Sequence, residues 1–345
     1  MPAHPNMRRI GDIGISGGGC GRRLTAYSAI SRHLVPVRNS ERPMSSIQSQ
    51  FLDLAVRHSR YPAIDPRSAL KDSARDKVIF ITGASRGIGQ ATAVAFAEAG
   101  ARAVYLTARS EDALEATRAL VGRANPETQC AYSVCDVTSA AAIEAAVADC
   151  AARFGGIDAA DANAGYLSPW TKIGESDPES WWRTWEVNVR GAYHLIRFTL
   201  PHLAQSAKRR TAEGRSGGHL ILLSSVGAQL LMPGASDYQT SKHAINRLCE
   251  FVQVDHDDDD GIKCFALHPG GISTELGRNM PQALHAHLVD DPELPAGFAV
   301  WLCSGKADWA KGRYLSANWD VGELTALTDR ILQNDLLVNR LRAQV

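Results

Sequence analysis

The chain has 345 residues, 45% of them hydrophobic and 21% charged, enough apolar material for one large domain with a full core plus extensions. Basic and acidic side chains balance at 37 each, so no global basic field draws the protein to nucleic acid or to an anionic membrane, and no apolar run approaches the roughly 18–20 residues that cross a bilayer. The seven cysteines are odd in number and scattered without a C-x-x-C pair, which points away from zinc ribbons and disulfide frameworks and toward reduced thiols in a reducing, cytoplasmic compartment.

Residues 1–43 are unlike the rest. They hold seven arginines, no lysine, and only Asp12 and Glu41 as acids. An Arg-rich, acid-poor start is compatible with an organellar transit peptide, with a disordered tail, or with a start codon set ahead of Met44. Residues 51–75 read as a short arm packed on the domain, made irregular by Pro62 and Pro66. Together residues 1–75 form an N-terminal extension.

From Lys77 the rhythm is strand, helix, strand, helix. Val78 to Ile81 is an unbroken apolar run with β-branched members, the pattern of a buried parallel strand. Thr82-Gly83-Ala84-Ser85-Arg86-Gly87-Ile88-Gly89 follows at once, and after it Ile88, Ala91, Ala95, Phe96 and Ala99 recur at helical spacing until Gly100. Glycines at a strand-to-helix turn let bare backbone approach a pyrophosphate, and the helix N-terminus offers N–H donors and a partial positive charge. The second strand, Ala103 to Thr107, ends in Ala108-Arg109-Ser110. NAD-preferring dinucleotide folds place an acid there for the ribose 2′-hydroxyl; here Arg109 stands beside that position and Arg86 lies in the glycine loop, a pair able to grip a 2′-phosphate. NADP(H) is therefore the expected cofactor.

A third strand around Ala131 to Val134 leads into Cys135-Asp136-Val137. An amphipathic helix covers about Ser139 to Phe154, and a fourth strand ends at Asn163-Ala164-Gly165. Asp161 is out of place in a central strand: an unpaired carboxylate there costs several kcal/mol or shifts its pKa upward, so it should find a partner or point past the sheet edge. Trp181, Trp182 and Trp185 lie on a long helix from about Pro178 to Leu203, at a spacing typical of core or subunit interface, and the same helix carries Asn188. The fifth strand, Leu220 to Leu223, ends in Ser224-Ser225. Tyr238-Gln239-Thr240-Ser241-Lys242 opens another helix thirteen residues after Ser225. The sixth strand, Ile262 to Leu267, ends in His268-Pro269-Gly270-Gly271-Ile272-Ser273-Thr274. In an open α/β sheet ligands collect at such strand ends.

The acid run Asp255 to Asp260 fails the EF-hand template, with Asp260 where glycine is needed, and reads as a solvated loop; the histidines show no metal spacing. Residues 275–297 read as a lid over the substrate, and the tail 326–345 as helical.

Tyr238 and Lys242 stand at i and i+4, on one helix face. A free phenol titrates near pH 10; one cation about 4 Å away at an effective dielectric of about 20 supplies about 4 kcal/mol, about three pKa units, which would bring it near working pH.

The spacing T-G-x-x-x-G-x-G, the N-A-G element and Y-x-x-x-K resemble the short-chain dehydrogenase/reductase family, over about residues 76–325, and within it the single-domain oxidoreductases. Pro292 to Leu324, with Trp301, Trp309 to Tyr314 and Trp319-Asp320, resembles fungal members. The resemblance implies a Rossmann-type doubly wound parallel sheet in a three-layer αβα domain. It maps four catalytic positions onto Asn188, Ser225, Tyr238 and Lys242. Ser225 would hold the substrate oxygen, Tyr238 give or take the proton, Lys242 bind the nicotinamide ribose and tune Tyr238, and Asn188 position a water. Cofactor contacts implied are Thr82, Gly83, Ser85, Arg86, Gly87, Ile88, Gly89, Arg109, Asp136 (meeting the adenine), Val137, Asn163, Tyr238, Lys242, Pro269, Gly270, Ile272 and Thr274. No metal is implied. The expected activity is hydride transfer between NADP(H) and a small-molecule ketone or secondary alcohol, in the direction of carbonyl reduction because NADP pools are usually kept reduced, with a role in fungal secondary metabolism. The helices bearing Asn188 and Tyr238 usually meet a second subunit in the family, so a homodimer or homotetramer is expected. The rival is a non-catalytic NADP(H)-binding sensor or scaffold with the same fold.

Overall fold

The computed structural model describes residues 52–256 and 260–341. The apolar run becomes β1, Val78–Thr82, buried at every position between β2, Ala103–Ala108, and β4, Ala159–Ala162. With β3 (Gln129–Val134), β5 (His219–Leu223), β6 (Lys263–His268) and β7 (Arg313–Ser316) it forms a seven-stranded sheet ordered β3-β2-β1-β4-β5-β6-β7, parallel throughout. Strands covered on both faces need apolar residues on both, which is why β1 reads as a run rather than as an alternation.

Helices α1 (Gly87–Glu98), α2 (Glu111–Ala124) and α7 (Glu293–Leu302) cover one face, where Ile79, Ile81, Phe96, Leu106, Leu114 and Phe298 share a core. The other face carries α3 (Ala140–Phe154), α5 (Gly191–Ala212) and α6 (Ser236–His256), packed on Phe80, Tyr105, Ile143, Leu195, Leu220 and Ile245. The three-layer doubly wound architecture expected from the sequence is the one observed. The strand order reverses between β1 and β4, so the loops leaving these two strands face each other.

The edges and ends are managed locally. Ser110, Ser139 and Asp177 cap α2, α3 and α4 (Pro178–Trp185) by accepting backbone N–H bonds. Beyond β7, the tail folds back so that the Tyr314 N–H reaches the Leu337 carbonyl at 2.9 Å. Short helices α8 (Val321–Ala326) and α9 (Thr328–Gln333) precede this return, so only part of the expected helical tail is helix.

Other boundaries also shift. The long helix is broken by a π turn at Glu186–Arg190, and α5 runs on to Ala212 because Leu203, Ser206, Ala207 and Arg210 keep an inward-facing stripe. The expected lid is shorter than 275–297: two 3₁₀ turns, Gly277–Asn279 and Gln282–His287, give way to α7 at Glu293, whose interior is fully buried. The three tryptophans stack with centroids 6.0–6.3 Å apart, but Trp182 is 55% exposed, so this is not core. Residues 1–51 and residues 257–259 of the acid run lie outside the described residues. Among the described residues no cluster of His, Cys, Asp or Glu could hold a metal ion, and no helix is long and apolar enough to cross a membrane.

Asp161 meets neither expectation. It sits in β4 opposite Ile81 and Ile221, is 3% exposed, and its Oδ1 has no hydrogen-bond partner among the described residues. Burial pushes its pKa up from 3.8 to about 7. The unfolded chain releases this proton near pH 3.8 and the folded chain near pH 7, so stability from this group is full below the lower value and is lost as pH rises to the upper. Asp161→Val should therefore stabilise the protein by on the order of 2–4 kcal/mol at pH 8 and by less than half of that at pH 4. Urea unfolding at the two pH values measures this, and a variant less stable than the parent at pH 8 would contradict it.

Candidate active site

At the switch point the glycine loop is held by the end of β4. Asn163 Nδ2 donates to the Thr82 carbonyl at 2.8 Å and to the Gly83 carbonyl at 3.1 Å. Thr82 Oγ1 completes the clamp, donating to the Asp161 carbonyl and accepting from the Ala164 N–H, each at 3.2 Å. Gly83 has φ +66°, and a Cβ there would lie 2.8 Å from Ala164 Cα; one on Gly89 would lie 2.6 Å from the Gly83 carbonyl oxygen. Only glycine fits both positions.

Two observations fit this loop to a dinucleotide phosphate. The missing Cβ atoms keep side chains off the turn, and α1 has no acid in its first turn and, unlike α2, α3 and α4, no side-chain cap. Its first N–H groups are left for an anion. Thr274 lies across the loop, with Cγ2 3.3 Å from where a Gly87 Cβ would be.

The two expected phosphate-gripping cations behave differently. Arg109 is exposed just past β2 and makes no ion pair among the described residues. Arg86 forms an exposed ion pair with Glu275, beyond β6. The chain thus brings to Arg86 a carboxylate that no local pattern links to the glycine loop. Asp136 turns its carboxylate to the Thr138 N–H and hydroxyl and to Arg183, and the Val137 carbonyl accepts from His194 Nδ1 at 2.8 Å.

On the other side of the cleft, α6 presents Tyr238 and Lys242. Lys242 Nζ donates to the Leu223 carbonyl at 2.6 Å, at the end of β5, and lies 5.7 Å from the Tyr238 ring centroid. The Ser225 hydroxyl, in the next turn, accepts from the Gly227 N–H at 3.0 Å and stands near enough to the phenol to lower its pKa slightly. Burial raises the Tyr238 pKa, against a smaller lowering by Ser225, and burial lowers Lys242 to about 8. The shift differs from the lowering expected of a neighbouring ammonium: desolvation is the largest cause for both groups and moves the phenol up and the ammonium down.

Asn188 projects inward from the π turn, a deviation common at functional sites. Its side chain accepts from the Tyr166 N–H at 2.8 Å and donates to the Tyr166 carbonyl and to Ser241 Oγ, both at 3.0 Å. These bonds brace α6 against the loop after β4.

Sequence reasoning missed three supports. Asp237 accepts from Ser168 Oγ at 2.6 Å and Thr184 Oγ1 at 2.5 Å, anchoring the first turn of α6 beside Tyr238. His268 Nδ1 accepts from the Val226 N–H at 3.0 Å, tying the turn after Ser225 to β6; burial lowers its pKa to about 3 and keeps it neutral for that role. Asp290 binds the turn after β6. Only Asp237, an acid in a helix's first turn, had a local signal.

A family model described as short chain dehydrogenase matches residues 77–285. Short chain dehydrogenase mpl6 of Monascus purpureus is 44% identical over 282 residues, spanning 80% of this chain and 91% of the relative. The crystal structure of levodione reductase superposes with a TM-score of 0.64 at 25% identity, covering 73% of this chain and 98% of that one. A 3-ketoacyl-(acyl-carrier-protein) reductase from Brucella melitensis, complexed with NADH, superposes with a TM-score of 0.62 at 26% identity, covering 70% and 97%.

Proposed function

The chain belongs to the short-chain dehydrogenase family of nicotinamide-dependent oxidoreductases, and from that premise we propose that it is an NADP(H)-dependent carbonyl reductase acting on a small-molecule ketone. The observation that carries the reading is the Ser225–Tyr238–Lys242 arrangement. A phenol whose pKa is raised by burial keeps its proton at neutral pH, which is the form a proton donor to a developing alkoxide must have. The Ser225 hydroxyl would hold the substrate oxygen beside that phenol. Lys242, bonded to the strand end, supplies the positive charge that stabilises the phenolate left after transfer, and with a pKa of about 8 it is mostly charged at pH 7. Asn188, Asp237 and His268 keep these groups in register. The bound cofactor would supply the hydride; Thr82, Gly83, Ser85, Gly87, Ile88 and Gly89 would hold its phosphates, with Asp136 and Val137 toward the adenine and Asn163, Pro269, Gly270, Ile272 and Thr274 toward the nicotinamide end.

Preference for the 2′-phosphorylated cofactor is supported by Arg109, an exposed cation at the end of β2 with no ion pair among the described residues. Arg86 joins it when it leaves Glu275, an exchange of one exposed ion pair, each worth about 0–1 kcal/mol, for a charge-assisted bond to phosphate. The likeness to fungal relatives supports a ketone of secondary metabolism as substrate. Exposed Tyr193 on α5 and exposed Phe251 and Val254 on α6 support a second copy of the chain as partner for that face.

Three measurements test this. NADPH consumption against a ketone panel should fall at least 10³-fold in Tyr238→Phe while NADPH binding is retained, since the ring stays and only the proton donor goes; a wild type that binds NADPH but reduces nothing across the panel would favour the sensor or scaffold. Arg109→Ala should raise the NADPH KM about tenfold or more and leave the NADH KM nearly unchanged, as one charge-assisted contact predicts; equal effects would refute the phosphate assignment. Sedimentation velocity should show a dimer or tetramer that Phe251→Glu dissociates, and a monomeric wild type would sink the interface.

A further inference from the structure

The family match begins at residue 77, yet the arm ahead of it reaches the turn after β6. From Ala55 to Tyr61 the arm lies along the end of β7 and α8. Val56 bridges Trp319, Arg57 donates twice to one Asp320 oxygen, at 3.0 and 2.7 Å, and the Tyr61 hydroxyl accepts from the Val321 N–H at 2.8 Å. These contacts seat His58 against Asp290, a carboxylate only 8% exposed.

Asp290 collects donors from three segments far apart in sequence. Its Oδ1 accepts from His58 Nδ1 at 2.5 Å; its Oδ2 accepts from the Gly271 N–H at 2.6 Å and from Asn318 Nδ2 at 2.9 Å. The main chain adds two bonds at 2.9 Å, Asp290 N–H to the Gly271 carbonyl and Asp291 N–H to the His58 carbonyl. Gly270 has φ +102°, and a Cβ on it would come within 2.5 Å of Asp290 Oδ2. The turn is thus pressed onto this carboxylate, with the Gly271 N–H committed to it. A buried carboxylate with several short charge-assisted bonds fixes what it touches far better than a loop fixes itself.

We propose that His58 and Asp290 are positioning residues for hydride transfer. Through Gly271 they set the Pro269–Thr274 turn against which the nicotinamide end rests, which makes the arm a working part of the site. The proposal rests on the reading of that turn as the nicotinamide's seat. His58 supplies the donor that keeps Oδ1 in place; without it the carboxylate can rotate and the Gly271 bond slackens. Small displacements at a reacting centre cost much more in rate than in stability.

The test uses the full chain as wild type, His58→Ala and His58→Asn, whose side-chain amide can replace Nδ1. Each is titrated with whichever of NADPH or NADH the wild type binds, and with the matching ADP-ribose (2′-phosphorylated or not), which lacks the nicotinamide. His58→Ala should weaken dinucleotide binding about tenfold and lower kcat for ketone reduction, leave ADP-ribose binding unchanged, and show an unaltered thermal melt; His58→Asn should recover most of both losses. Weakening of both ligands alike, or of neither, overturns the proposal while leaving the oxidoreductase reading intact. A wild type that binds neither dinucleotide overturns both. Should His58→Ala fail to fold, the same comparison of ligands on His58→Leu decides: weaker dinucleotide binding with ADP-ribose binding unchanged supports the proposal, and equal weakening of both ligands, or of neither, ends it.

Discussion

The site depends on how closely two main chains approach at the switch point of the sheet. β1 and β4 end side by side, and the Asn163 amide spans the gap to two consecutive carbonyls of the glycine loop. That leaves no space for a Cβ at Gly83 or Gly89. The loop gains rigidity from the amide and a turn free of side chains from the glycines, and α1 begins without a side-chain cap of its own. An anion at that N-terminus would meet N–H groups already aimed and unspent, with little further ordering cost.

Burial governs the chemistry on the opposite wall. In water a lysine near a tyrosine would lower the phenol's pKa. In this cleft desolvation dominates and moves the two groups the other way, the phenol up and the ammonium down. For a proton donor this is favourable, because the phenol is loaded at neutral pH. The same force at Asp161 has no such use, and the carboxylate stands in the sheet with only its protonation to reduce the cost.

The supports of the site are distributed over the whole chain. The π turn turns Asn188 inward, Asp237 anchors the residue next to Tyr238, His268 ties one strand-end turn to the next, and Asp290 joins the arm, the turn after β6 and the end of β7. Each is a buried polar group with its partners present, the condition under which such groups rigidify a structure instead of destabilising it.

The sequence by itself determined the parts whose physics is local. An apolar run before T-G-x-x-x-G-x-G, a helical stripe after it, a strand-end serine and an i, i+4 tyrosine and lysine identified β1, α1, the αβα layers and the side chains proposed for the chemistry, because pleat, helix pitch and glycine's freedom at positive φ act within a few residues. It did not reveal that Glu275 would meet Arg86, that Asn188 would spend its amide on Tyr166 and Ser241, that α5 would outrun Leu203, or that His58 would stand behind Gly271. Those depend on which segments packing brings together and on how much water it removes, and both are set only when the layers close.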